Sequence, residues 1–278
     1  MKQLIVLQTD FTFKEGAVAV MKGVIKSIDR DLEILDLTHE IPQYDTYSAS
    51  FRLRQVVPFY PKGTVFVSVV DPAVGSSRKA CIALTKSGHY IVTPDNNTLT
   101  HLDRYVGLSE VREIDKTWRY QSEYSSEVFH GRDVFAYVGA LLASGQVEFE
   151  TFGKTYSDYK VIGYPKPSFS SDRLEGILEI VDPNFGNVWT DIPTSYLTYL
   201  NLQPEDLIRI TIAHEGITIL TQTLKAGSTF STVPLNSPVL YNNELGCLAL
   251  ALNQNDYRNT YKIGFGPSWS IALEKAHE

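Results

Sequence analysis

Between residues 4 and 38 the hydrophobic period changes twice. A short apolar run, LIVLQT (4–9), is followed by EGAVAVMKGVIKSID (15–29), whose Val18, Met21, Val24, Ile25 and Ile28 fall on one helical face, and then by a second strand-like run, EILDLT (33–38). Strand, helix, strand demands a crossover connection, and in a parallel sheet that crossover is right-handed. Glu15 suits the positive end of the helix dipole. The alternation continues with a helix over 46–57 closed by Pro58 and Pro61, strands at 64–70, 79–85 and 89–93, and a helix over 133–145. That last helix has a stripe of Val134, Val138, Leu141 and Leu142 and a stop at Gly145. An α/β sheet domain is therefore expected, with 4–9 and 33–38 as buried strands.

After residue 160 the texture changes. YPKPSFSSD (164–172) has the composition of a linker, and LEGILEIVD, EDLIRITIA, GITILTQTL and SPVLYNN beyond it are short β-rich runs without a comparable amphipathic helix. The expected organisation is an α/β domain over 1–165 and a smaller antiparallel β-barrel domain over 172–278. At 278 residues, 43% hydrophobic and 21% charged, the chain suits a soluble globular protein, and its net charge of -7 argues against nucleic-acid or membrane-surface binding. The apolar stretch Leu4 to Leu7 is too short for a signal-peptide core, no run reaches membrane-spanning length, and Cys81 and Cys247 read as buried free thiols. A cytoplasmic protein acting on a small molecule is the expectation.

Five polar constellations interrupt the apolar pattern. In TVFVSVVDPAVGSSRKACIAL (64–84), Asp71 and Arg78 stand at the two ends of a small-residue loop between two strands; a loop salt bridge and a catalytic pair both remain open. Asp10 follows the first strand directly, where ligands of open α/β sheets bind, and fits either a ribose diol or a helix cap. His130, in EVFHGRDVFA, is read at a strand-to-helix transition. Asp95, Asn96 and Asn97 could simply form a turn, and Asp182, Phe185, Asn187 and Trp189 around Gly186 would suit a flat heterocycle beside an amine. There is no G-x-G-x-x-G, Walker A loop, G-x-S-x-G, C-x-x-C or H-E-x-x-H. His39 beside Glu40 has no second histidine nearby, so neither a metal nor a cofactor is expected.

Taken in order, TDF, DLTHEIPQYD, VVDPAVGSSR, PDNNTL, FHGRDVFA, DPNFGNVWTDI and NNELGCLALALN resemble the S-adenosyl-L-methionine hydrolase (hydroxide adenosyltransferase) family, which shares its fold with the fluorinases and chlorinases. The resemblance runs from Asp10 to Asn253. It implies an α/β domain followed by a β-barrel, and hydrolysis of S-adenosyl-L-methionine to adenosine and L-methionine. It implies water activation by Asp71, Arg78 and His130, with Asp10 on the ribose hydroxyls and Asn187 and the main chain near Gln254 on adenine. Asp182 would take the methionine ammonium, Phe185, Trp189, Phe230 and Tyr44 would form apolar walls, and Asn96 and Glu244 would join the substrate-binding set. It further implies a homotrimer with sites at subunit interfaces.

The halogenase branch resembles this chain less at the elbow: it carries Tyr and Thr where this chain has Asp71 and Val74, and Ser in place of Gly131. A carboxylate at Asp71 would repel a halide. Thr12 stands where family members usually have Gly, Ala17 where an aromatic is common, and Glu244 where a Ser often helps hold the methionine carboxylate. Two other readings stay open: a non-catalytic adenosine or S-adenosylmethionine binder, and a halide-using adenosyl transferase.

Overall fold

All five residues of strand β1 (Ile5–Thr9) are buried, as are all five of β3 (Val65–Val69), which only strands covered on both faces allow. In the computed structural model, which describes residues 3–170, 172–202 and 206–276, they lie side by side and parallel, with Ile5 opposite Val65 and Thr9 opposite Val69. The chain divides into two compact units, Met1–Gly163 and Tyr164–Glu278.

The first unit is built on a six-stranded sheet in the order β2-β1-β3-β5-β4-β6, where β2 is Ile34–Thr38, β4 is Ala80–Thr85, β5 is Tyr90–Pro94 and β6 is Leu108–Glu113. Alternate side chains feed two cores. Ile5, Leu7, Val65 and Val67 pack with Met21 and Ile25 of α1 (Ala17–Ile28) and with the C-terminal helix of the unit. Val6 and Phe66 pack with Leu53 of α2 (Thr46–Val56) and Leu99 and Leu102, at and within α3 (Thr100–Tyr105). Helices therefore cover both faces, and the parallel β2, β1, β3 and β5 end their C-termini on one edge.

Two expectations need correction. The 33–38 run is a strand but not a buried one: β2 sits at the sheet edge, and Asp36 and Leu35 are exposed. The 133–145 helix begins earlier, at Gly131, with a π-helical turn over Gly131–Ala136 that passes into α4 (Tyr137–Ser144). Gly145 closes α4 in the left-handed conformation, φ 71°, its N–H reaching the carbonyls of Leu141 and Leu142. The sheet is mixed, because β4 runs antiparallel to β5 and to β6, and β6 and α3 carry too little apolar signal to be read in advance.

In the second unit, β8 (Arg173–Val181), β9 (Val188–Pro193), β10 (Ile208–His214), β11 (Ile217–Ala226), β12 (Pro238–Asn242), β13 (Cys247–Leu252) and β14 (Trp269–Lys275) close a seven-stranded barrel, because β8 pairs with both β14 and β9. The pairings are antiparallel apart from a short parallel one between β11 and β12. Part of the linker-like stretch is ordered as a further strand, β7 (Ser168–Ser170), bonded to β8; Ser171 within that stretch, and Glu205 of the EDLIRITIA run, lie outside the described residues. The barrel core is apolar, with Leu178, Val188, Ile210, Leu250 and Leu273 buried. Among the described residues, no helix is long and apolar enough to cross a membrane.

The contact between α4 and β3 fixes the helix that follows His130. A Cβ on Gly139 would lie 2.6 Å from Val67 Cγ2, and valine is too stiff to move aside cheaply. Gly139→Ala is therefore expected to lower unfolding stability by about 1–3 kcal/mol despite alanine's better helix propensity. An unchanged midpoint in urea would contradict this packing.

Candidate active site

The elbow of residues 70–79 leaves β3 and enters β4, which are not neighbours: β5 lies between them, so the loop must arch over the end of that strand. Turns from Val74 N to Asp71 O and from Ser76 N to Ala73 O shape it. Across its mouth, Arg78 Nε donates to Asp71 Oδ1 at 2.9 Å, and Nη2 donates to the other carboxylate oxygen. The side chains are only 9% and 6% exposed. This is a buried two-point pair, not a solvated surface bridge. Removing either member of such a pair leaves a buried charge unmatched, at a cost of about 3–5 kcal/mol.

The same Nη2 lies 3.0 Å from His130 Nδ1, joining residues 52 apart in sequence. A guanidinium only donates, so Nδ1 is the acceptor and the neutral ring carries its proton on Nε2. Burial, followed by the charge of Arg78, holds the imidazole below its ordinary pKa. His130 directly precedes the π-helical turn, but the stretch before it is a long loop with no strand, a second correction to the expected strand-to-helix transition.

Asp10 is the first residue beyond β1. Because Thr9 is in register with Val69, Asp10 and Asp71 emerge beside one another at the carboxyl edge of the sheet. Both border a cavity of about 370 Å³, together with Tyr44, Val74 and His130. Asp10 Oδ2 accepts from the Tyr44 N–H at 2.9 Å. Burial raises the Asp10 pKa, Tyr44 N–H opposes that, and the charge of Asp71 adds to it. Phe11 and Phe129, packed edge to face at 6.1 Å, wall the cavity and were not singled out from sequence. A side chain at Gly131 would press on both rings at 3.2 Å.

Asn96 serves the elbow from outside this cavity. Its Nδ2 donates to Val70 O at 2.7 Å and its Oδ1 accepts from Thr98 Oγ1 at 2.7 Å. Thr12 adopts φ 60°, a conformation glycine takes freely and β-branched residues rarely do, and its N–H donates to His39 O at 2.8 Å. Arg78 borders a different cavity from Asp71, and so stands behind the pair of groups it holds.

The second unit gathers Phe185, Asn187, Phe230 and Gln254 around a cavity of about 770 Å³. Asp182 Oδ1 accepts from Asn184 N at 2.9 Å and Phe185 N at 3.2 Å, tying the turn. Gly186, φ 69°, allows that turn to press on Asp256, whose Oδ1 would lie 2.0 Å from any Cβ there. Trp189 is buried on β9 and Glu244 is exposed on the turn after β12; neither borders the cavity. Tyr241, which sequence reading missed, packs 4.9 Å from the Phe230 ring. Burial pushes the Tyr241 hydroxyl up to about 12; the Trp189 indole N–H opposes this, while the charges of Asp182 and Glu244 reinforce it. Cys81 and Cys247 are buried, and neither is in a disulfide. Among the described residues no three His, Cys, Asp or Glu gather as metal ligands would.

Comparison with known proteins places both units. Residues 5–153 match the model of the SAM hydroxide adenosyltransferase N-terminal domain, and 176–270 that of its C-terminal domain. The chain is 35% identical over 218 residues to an (R)-S-adenosyl-L-methionine hydrolase of Methanocaldococcus jannaschii, covering 77% of this chain and 74% of that one. It is 27% identical over 289 residues to a fluorinase of Actinoplanes sp., covering 95% of each. A crystal structure of an uncharacterized conserved protein from Thermotoga maritima superposes with a TM-score of 0.87 at 33% identity, covering 97% of this chain and 99% of that one. With its two halves matched in order, the chain belongs to the SAM hydroxide adenosyltransferase family of enzymes.

Proposed function

We propose that the chain hydrolyses S-adenosyl-L-methionine, water attacking the ribose 5′ carbon to give adenosine and L-methionine. The observation that carries this reading is the buried Asp71–Arg78–His130 constellation beside the cavity that Asp10 also borders. A sulfonium carbon is already activated, since sulfur departs as a neutral thioether and needs no general acid. What the enzyme must supply is a water in line with the C–S bond and a place for its proton.

Each Asp71 oxygen accepts from Arg78 and keeps a lone pair for water. His130, neutral near pH 7 because burial lowers its pKa, is a second group able to take a proton. Arg78 holds both groups in position and sets a positive charge near the forming hydroxide. Asp10 would receive the vicinal ribose hydroxyls, Asn187 and the Gln254 main chain the adenine edge, and Asp182 the ammonium. Phe185, Phe230 and Tyr44 would supply apolar walls, and Glu244 would lie near the amino-acid end.

The likeness to fluorinases makes halide the specific alternative nucleophile. Two features favour water: the Asp71 carboxylate, which repels an anion, and the closeness of Phe11 and Phe129 to Gly131, which leaves a serine there little room. Each unit alone holds half of the chemistry, so the proposal includes a homotrimer in which neighbouring subunits complete each site, a head-to-tail arrangement that closes as a ring.

Incubation with S-adenosyl-L-methionine in the presence of chloride or fluoride, followed by chromatography, is expected to yield adenosine and methionine. A halogenated nucleoside would overturn the choice of water, and unchanged substrate the catalytic reading. For the assembly, Asp71→Ala and Asn187→Ala chains, each inactive alone, are expected to regain partial activity when refolded together. A fully active monomer would contradict the shared site.

A further inference from the structure

The proton released by water must leave the site, and the surroundings of His130 bear on how. A second cavity in the first unit, about 340 Å³, is bordered by Arg78, Arg119, Glu127 and His130, while His130 also borders the cavity of Asp10 and Asp71. Its ring thus stands between the two spaces. Nδ1 faces Arg78, so the proton sits on Nε2, an atom that is buried without a hydrogen-bond partner. The carboxylate of Glu127 lies 3.8 Å from it, outside hydrogen-bond length but within ion-pair range.

Glu127 is held by more than this contact. Both of its oxygens accept from Arg119 Nη1, at 2.9 and 3.0 Å, and Arg119 Nη2 donates to Ser126 O at 2.6 Å. The hydrogen bond from Arg119 holds its pKa below the ordinary carboxylate range, so it remains an anion and is a poor resting place for a proton. Its side chain is 78% exposed, which puts solvent at the far side of the ring.

We propose that Glu127 is a positioning residue that keeps the His130 proton on Nε2 and stabilises the imidazolium formed when His130 takes the proton of the attacking water at Nδ1. The proposal rests on the hydrolytic reading above. The balance is simple: the C–O bond forms, the C–S bond breaks with its electron pair on sulfur, and the water's proton passes to Nδ1. To admit it, Arg78 Nη2 gives up His130 while Nε keeps its bond to Asp71 Oδ1. The imidazolium then returns a proton to solvent by way of the second cavity. The role matches that of the carboxylate behind a catalytic histidine in hydrolytic triads, which orients the ring without becoming protonated.

The charged groups facing His130 are Arg78 and Asp71 from the elbow and Arg119 and Glu127 from the loop before it. Asp10 and Glu15 border the first cavity, and Lys79, Glu113, Asp115 and Lys116 the second. Two substitutions should act with opposite sign. Glu127→Gln removes a negative charge and should lower the His130 pKa by roughly half a unit; Arg119→Gln removes a positive charge and should raise it. The His130 ring is titrated by NMR, its signals assigned by their loss in His130→Gln, and kcat is followed against pH. In Glu127→Gln the acidic limb is expected to move down with the pKa, and kcat to fall about tenfold while KM holds within about twofold. Glu127→Asp should restore the wild-type limb. An unmoved His130 pKa in Glu127→Gln overturns the proposal, as does Arg119→Gln shifting it downward; should Glu127→Gln fail to fold, Arg119→Gln alone decides. The NMR titration needs no turnover, so a wild-type chain that forms no adenosine counts against the hydrolytic reading separately.

Discussion

Arg78 donates to both oxygens of Asp71 and to Nδ1 of His130, and all three side chains are largely withdrawn from water. A guanidinium in that position cannot shed its charge, so the surrounding fold has to match it. The match depends on topology. Because β5 is inserted between β3 and β4, the loop joining them arches over the carboxyl edge of the sheet, with Asp71 at its start and Arg78 at its end. Asn96, at the end of β5, ties the root of the arch through the Val70 carbonyl. The π-helical turn at Gly131–Ala136 then delivers His130 from a segment that is remote in the chain, and π turns concentrate where a side chain must be placed for function.

Much of this architecture is written in local pattern. The mostly apolar, fully buried runs of β1 and β3 and the one-sided stripe of α1 each belong to a single period, and each folds as that period demands. β6 (LSEVRE) escapes because four of its six residues are polar; its pairing to β4 makes it a strand. β2 was legible as a strand but not as an edge, since burial depends on strand order and not on composition. The π-helical turn has no periodic signature at all.

The site was legible by a different route. From the residues alone, Asp71 and Arg78 remained a loop pair and His130 a helix-start histidine; the family resemblance is what grouped them. The reason is physical. Convergence across 52 residues is set by strand register and loop path, neither of which a local window contains. Tyr241 and Glu127 escaped although their partners are nearer in sequence: the contact of Tyr241 with the Phe230 ring, and of Glu127 with Arg119 and His130, is set by a turn or loop path that residue type does not encode. Asn96 shows the converse, a motif residue whose polar atoms are used to brace the loop.

The central claim is that the Asp71 carboxylate, held by Arg78, prepares water for attack on a sulfonium carbon. The most direct test is Asp71→Asn, verified as folded by circular dichroism, with adenosine formation and adenosine binding measured on the same preparation in ¹⁸O-labelled water. The account predicts that wild-type product carries the label at the 5′ oxygen, and that the variant turns over at least about 100-fold more slowly while binding adenosine within about threefold of wild type. Turnover in the variant within a few-fold of wild type, or unlabelled adenosine from the wild type, would contradict it.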